Sequence, residues 1–310
     1  MITGLVIALA APWAAAFFYY PALSRSRGAR IAALLVLAVP ALAAPLAVPR
    51  EHSFVRFLVA THAAMFVVGF WDLHRGLPRT GRPRFADYAR FLPHPFHFVY
   101  RKMGEEPGPG RAANLKRLAR GLAEAAAGGV LAWAAFRSDL SSFGLLVEHS
   151  AKLLAVYPVL DGVIVATVAL WRLAGWRSLD VYREPILART PADFWRRYNR
   201  PIGQFLLEDV AKPAGGYHAP VRATMAAFLA SAILHEYLAT IAIGRVQGYQ
   251  TAFFLLQGVA VAATQRVKPR GLAAIPWVFG TILFNLASLL LFCASVDQVV
   301  SWYDGEGILP

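Results

Sequence analysis

The chain has 310 residues, 57% of them hydrophobic, a formal net charge of +13 and one cysteine. Its apolar residues form long blocks, which argues against a soluble domain and for an integral membrane protein. The positive charge sits in loops between those blocks rather than in a basic domain, so nucleic acid is not expected as a partner, and Cys293 alone excludes an intrachain disulfide.

A span needs roughly 20 mostly apolar residues. On that criterion about eight crossings are expected, at 2–22, 31–48, 53–73, 119–136, 145–171, 221–243, 251–265 and 274–299. The first block lacks the basic start of a signal peptide and reads as a retained span. The third holds His62, expected to be a packed histidine. The fourth carries Glu124, and the seventh is short. Asp161 lies mid-span in the fifth, either structural or lining a passage. Gln257 and Asn285 are expected to hydrogen-bond between helices.

Lys and Arg concentrate in loops 23–30, 74–118 and 172–220 and in the linker of Arg266, Lys268 and Arg270. The intervening loops carry only Arg50, Arg137 and Arg245, and the tail carries Asp297, Asp304 and Glu306. With eight spans, every basic loop falls on one side, which the positive-inside rule makes cytoplasmic, with both termini outside. The two long loops mix aromatics with Arg, as interfacial helices do: "FLPHPFHFVYRKMG" and "PADFWRRYNRPIGQFLLEDVAKP". In the second, Thr190 is the expected N-cap, Pro191 the first helical residue and Asp193 a first-turn acid, and Pro201 should end or kink the helix. His94 and His97 stand three apart with no Cys or carboxylate nearby, so no metal site is expected. The expected fold is all-α: one membrane-embedded domain over 1–310, a polytopic bundle with cytoplasmic interfacial helices.

Two stretches carry chemistry. In "SAILHEYLAT", His235 stands about fifteen residues into the sixth span, where a charge costs roughly 3 kcal/mol or more. Ser231, Ala232, Ala239 and Ala242 share its face, so the imidazole has small neighbours. Such a face suits either close helix packing or the wall of a tunnel. Glu236 points about 100° away, and Ala239 occupies the second histidine position of an H-E-x-x-H zinc site, which rules that motif out. The second stretch is "FWRRYNRPIGQFLLEDVAKP", Phe194 to Pro213. Trp195 and Tyr198 fit headgroup anchors, and Arg196, Arg197 and Arg200 fit phosphate ligands. Asn199, a poor helix former directly before Arg200-Pro201, fits neither role.

Together these stretches resemble the paired signature of membrane-bound O-acyltransferases, closest to the branch of wax synthases, diacylglycerol acyltransferases and sterol acyltransferases. The resemblance implies a bundle with an internal substrate tunnel, His235 as catalytic base and Asn199 as second active-site residue. Trp195, Arg196, Arg197, Tyr198, Arg200, Lys212, Ser231 and Glu236 are then expected to bind substrate, with Arg and Lys on CoA phosphates. Acyl-CoA is the implied co-substrate, with no permanently bound cofactor and no metal. A fatty alcohol, diacylglycerol or similar lipophilic alcohol is the implied acceptor, with membrane lipids around it. A neutral imidazole, whose ordinary pKa is about 6.5, is suited to take a hydroxyl proton. Ala- and Arg-rich usage suggests a bacterial cytoplasmic membrane. The alternative reading is a proton-coupled transporter or lipid-handling protein in which His235, Glu236 and Asp161 form a polar relay.

Overall fold

A computed structural model describes residues 1–93, 109–176 and 178–303. The expectations for His94, His97, Arg101, Lys102, Arg177, Asp304 and Glu306 lie outside the described residues. Regular structure among the described residues is helical throughout. The α-helices are α1 (Ile2–Ala22), α2 (Arg27–Ala43), α3 (Ser53–Thr80), α4 (Phe85–Phe91), α5 (Arg111–Arg137), α6 (Leu145–Leu173), α7 (Pro191–Arg197), α8 (Arg200–Leu206), α9 (Pro220–Ile243), α10 (Tyr249–Thr264) and α11 (Ala274–Asp297).

Each of the eight expected apolar segments is a helix. Among the described residues six are long and apolar enough to cross a membrane: Ile2–Ala22, Arg27–Ala47, Arg50–Pro78, Leu145–Leu173, Pro220–Ile243 and Gly271–Asp297. The other two fall short of that length and apolarity for different reasons. In α5, Arg111, Lys116, Arg117, Arg120 and Glu124 occupy the first half, so apolarity is confined to the second. Helix α10 has 16 residues, about 24 Å at 1.5 Å per residue, against a hydrocarbon core of about 30 Å.

The chain forms two compact units, Met1–Glu105 with Leu234–Gly248 and Glu106–Ile233 with Tyr249–Pro310. Unit 1 holds α1 to α4 and the C-terminal part of α9. Its core joins Tyr19, Phe66, Phe70, Leu73, Tyr88 and Phe91. The short helix α4 is fixed to α1 by the Tyr88 hydroxyl, which donates to the Ala16 carbonyl at 2.7 Å. A second cluster sets Leu234, Tyr237, Leu238 and Ile241 of α9 against Leu42, Phe57, Ala60 and Ala64, and the Tyr237 hydroxyl donates to Leu42 O at 2.8 Å.

Unit 2 is built on the α5–α6 hairpin, whose helices touch backbone to backbone. A Cβ on Gly121 would lie 2.7 Å from Ala166 N and Gly162 O, and one on Gly128 would lie 2.6 Å from Val159 N. Gly162 faces Ala125 N and Gly121 O in the same way. Small residues bring membrane helices this close, and backbone cannot yield to a new side chain. Gly162→Val is therefore expected to destabilise unit 2 by about 1–3 kcal/mol or more. Gly129→Val, also on α5 but with open space at its Cβ, is the matched control. Thermal midpoints in detergent check the pair.

The C-terminal segment is tied down by a buried polar cluster absent from the sequence expectations. Lys152 Nζ donates to Glu148 Oε1 at 2.6 Å and to Trp302 O at 2.9 Å. His149 joins the Tyr303 hydroxyl at 2.5 Å and Leu286 O at 2.8 Å. Every one of these groups is partnered, as burial demands, and the cluster reads as an anchor.

Candidate active site

The Phe194–Pro213 stretch belongs to unit 2. Thr190 caps α7 as expected: its hydroxyl accepts from Asp193 N at 3.1 Å, and Pro191 opens the helix. The expected break near Pro201 falls slightly earlier. Proline has no N–H to give a helix interior, and so it takes the first turn of α8. The chain turns at Tyr198, which is extended, and at Asn199, which is left-handed with φ 41° and ψ 54°. That conformation is unfavourable for L-residues, and asparagine tolerates it best after glycine. Two backbone bonds to the preceding loop hold the turn: Arg183 N to Arg197 O and Arg200 N to Val181 O, both 2.9 Å. The Asn199 amide makes no cap bond to α8, so its geometry presents a carboxamide at a rigid helix break. Leu207–Ala211 continues as a π turn, a form common at functional sites.

The aromatics of this stretch pack inward. The Trp195 indole donates to Gln257 Oε1 at 2.9 Å, and Gln257 Nε2 donates to Asn285 Oδ1 at 3.3 Å and to Ser288 Oγ at 2.9 Å. The indole also meets Phe228 edge-on at 5.2 Å. A headgroup anchor would keep its N–H in the interface, whereas this one completes the expected Gln257–Asn285 link between α10 and α11. Tyr198 stacks on Phe194 at 5.3 Å and on Tyr182 at 4.9 Å.

The cations divide into two groups. Arg189, Arg196, Arg197, Lys268 and Arg270 line one cavity of about 330 Å³, together with Thr190, Asp193, Val267 and Pro269. Arg189 Nη1 bonds to Pro269 O at 3.2 Å across it. An apolar groove of about 430 Å³ is lined by Pro191, the residue after Thr190, and by Ala260, Ala263, Thr264, Pro276, Trp277, Gly280, Thr281 and Phe284. The Ala192 N–H donates to Thr264 Oγ1 at 3.2 Å and pins the start of α7 to the end of α10. Arg200 and Lys212 are elsewhere: Arg200 reaches Asp180 O at 3.5 Å, and Lys212 pairs with both oxygens of Glu208 at 2.7–2.8 Å. In the sequence alone Arg189, Lys268 and Arg270 bear only on topology. The run "RVKPR" after α10 was the available signal that two of them share a turn.

Among the described residues Asp193 is the one carboxylate lining the basic cavity. Burial acts to raise its pKa. The Arg189 N–H and Arg197 Nε, each at 3.1 Å, and the charges of Arg197 and Arg196 outweigh that and hold it below the usual carboxylate range. A depressed folded pKa contributes stability above the unfolded value, about pH 4, and the contribution is lost as pH falls through the folded value. Asp193→Asn should therefore lower the thermal midpoint at neutral pH and flatten its decline in acid. Melting curves taken from pH 7 downward read both.

His235 belongs to unit 1 and is half-buried on α9. It is turned off the face that packs on Leu42 and Ala60. Ala232 and Ala242 are fully buried beside it along the helix, and Ala239 nearly so. It lines neither of the cavities just described. Glu236 curls onto the turn after α9, where its Oε1 accepts from Gln247 N at 3.0 Å and Gly248 N at 2.7 Å. Ser231 is half-buried in unit 2. His62 packs its ring against Phe66 at 4.7 Å, and Asp161 pairs with Arg120 at 3.8 Å in unit 2. Among the described residues no cluster of three metal-ligating side chains occurs.

The model of the membrane-bound O-acyltransferase family matches residues 129–296, more than half of the chain, and the match contains both stretches described above. A comparison with curated proteins returns no match. The chain belongs to the membrane-bound O-acyltransferase family and is an integral membrane O-acyltransferase, with lipid and acyl-donor substrates.

Proposed function

We propose that the protein transfers an acyl group from acyl-CoA to the hydroxyl of a lipophilic alcohol, in the manner of the wax synthase branch. The observation that carries this reading is the basic cavity beside an apolar groove at the start of α7. Five cationic side chains around one cavity match the diphosphate and ribose phosphate of CoA, since guanidinium forks bind phosphate with charge-assisted hydrogen bonds. The adjoining groove offers apolar surface to the acyl or pantetheine arm.

In this mechanism the neutral imidazole of His235 takes the acceptor hydroxyl proton as the oxygen attacks the thioester carbonyl. The carbonyl π electrons move onto oxygen, where the Asn199 carboxamide N–H stabilises the oxyanion. Collapse of the tetrahedral intermediate re-forms the C=O bond, breaks the C–S bond and releases the CoA thiolate, which takes the proton back from the imidazolium. The mechanism requires water to be kept from the thioester, which it would otherwise hydrolyse. The long basic loops face the cytoplasm, where acyl-CoA resides, and the membrane is a bacterial cytoplasmic membrane. All 310 residues act as one acyltransferase domain.

Purified protein in vesicles, supplied with labelled palmitoyl-CoA and a panel of hexadecanol, dioleoylglycerol and a soluble sugar, tests the reading. Ester is expected on one of the two lipophilic acceptors with equimolar CoA release. Ester on the sugar alone, or on none of the three, would overturn it.

A further inference from the structure

Unit 1 contains a cation that acyl transfer does not use. Arg56 lies in the first turn of α3 and is only 2% exposed, yet its Nε and Nη1 have no hydrogen-bond partner among the described residues. The charged neighbour acting on it is a second cation, Arg50, in the short turn before α3. Arg50 in turn lies over the backbone of Gly244, where a Cβ would come within 2.9 Å of its Nε. That contact brings the end of α9 to the start of α3. Three residues on, Gln247 has both carboxamide atoms buried and without partners among the described residues, although its backbone N–H is held by Glu236.

A buried guanidinium without a counter-charge is costly. Here the positive end of α3 and the neighbouring Arg50 raise the local potential further. These groups share one ligand chemistry. An oxyanion would accept from the Arg56 fork, screen Arg50 and use the amide donor of Gln247. The surroundings narrow the class: Leu46, Phe54 and Leu58 flank the two arginines in sequence and expose large apolar side chains. An anion that also carries hydrocarbon satisfies both features. We infer that this end of unit 1 binds the phosphate of a membrane phospholipid, with Arg56 as its principal ligand and Arg50 and Gln247 completing the site.

The full chain in alkyl maltoside micelles provides the test, read by thermal unfolding and by native mass spectrometry of bound lipid. Additions are phosphatidylglycerol, a glycolipid with the same chains but no phosphate, and inorganic phosphate. Phosphatidylglycerol is expected to raise the wild-type midpoint by a few degrees and to appear as a bound adduct, with the glycolipid inert. Arg56→Gln should lose both effects, and Arg56→Lys should keep part of them. If Arg56→Gln does not fold, Arg50→Gln at an exposed position is expected to weaken the lipid effect. An equal, Arg56-dependent rise with inorganic phosphate would keep the anion site but assign it to a soluble ligand. A lipid effect that survives both substitutions, or that the glycolipid reproduces, would overturn the inference.

Discussion

His235→Ala is expected to lower the rate of ester formation by about 10²–10⁴-fold, the usual share of a positioned general base. Binding of acyl-CoA should change little, because the phosphates are assigned to cations on unit 2. The melting point reads the fold separately and is expected to stay near wild type, since Leu234, Tyr237, Leu238 and Ile241 form the α9 side of the cluster with Leu42, Phe57, Ala60 and Ala64. A structural histidine would give the opposite pattern, with a lowered melting point and residual turnover in whatever protein remained folded. Asn199→Ala separates two roles in the same way. If the carboxamide stabilises an oxyanion, kcat falls by roughly 10²–10³. If asparagine is present only for its left-handed backbone, Asn199→Gly keeps the backbone and the activity.

The second large effect concerns the donor. Lys268→Glu with Arg270→Glu places two negative charges in the basic cavity while leaving Trp195, Asn199 and His235 in place. A hydrogen bond to a charged group contributes about 1.5–3 kcal/mol, or roughly 10–100-fold in affinity per contact. The double variant is thus expected to raise KM for acyl-CoA by about 10²-fold or more, with kcat changed far less. Raising salt should weaken donor binding in the wild type and much less in the variant. A KM left unchanged would remove the cavity from the donor site.

Much of this architecture was legible in the residues, and the failures have physical causes. All eight apolar segments are helices because length and composition fix that much. Helix α5 marks where composition is weakest as a guide: its apolar second half reads as a span, but its first half is charged down to Glu124. The Thr190 cap was readable because it depends on four consecutive residues. Trp195 was not. An aromatic beside arginines looks like an interfacial anchor, and only the approach of α10 and α11 supplies Gln257 as a partner for its indole. The same limit applies to Glu236, whose carboxylate meets backbone N–H groups eleven and twelve residues later, and to Arg189, which reaches Lys268 and Arg270 only through folding. Local patterns fix elements and caps, whereas long-range partners depend on how helices meet.

The central claim is that acyl-CoA is held by one set of residues and its thioester attacked with the help of another. The direct measurement pairs the affinity for a thioether analogue of acyl-CoA with the ester-forming rate, in wild type, His235→Ala and the Lys268→Glu/Arg270→Glu double variant, all in nanodiscs. The account expects His235→Ala to bind the analogue as wild type does while forming almost no ester, and the double variant to lose affinity. Wild-type ester formation by His235→Ala would contradict it.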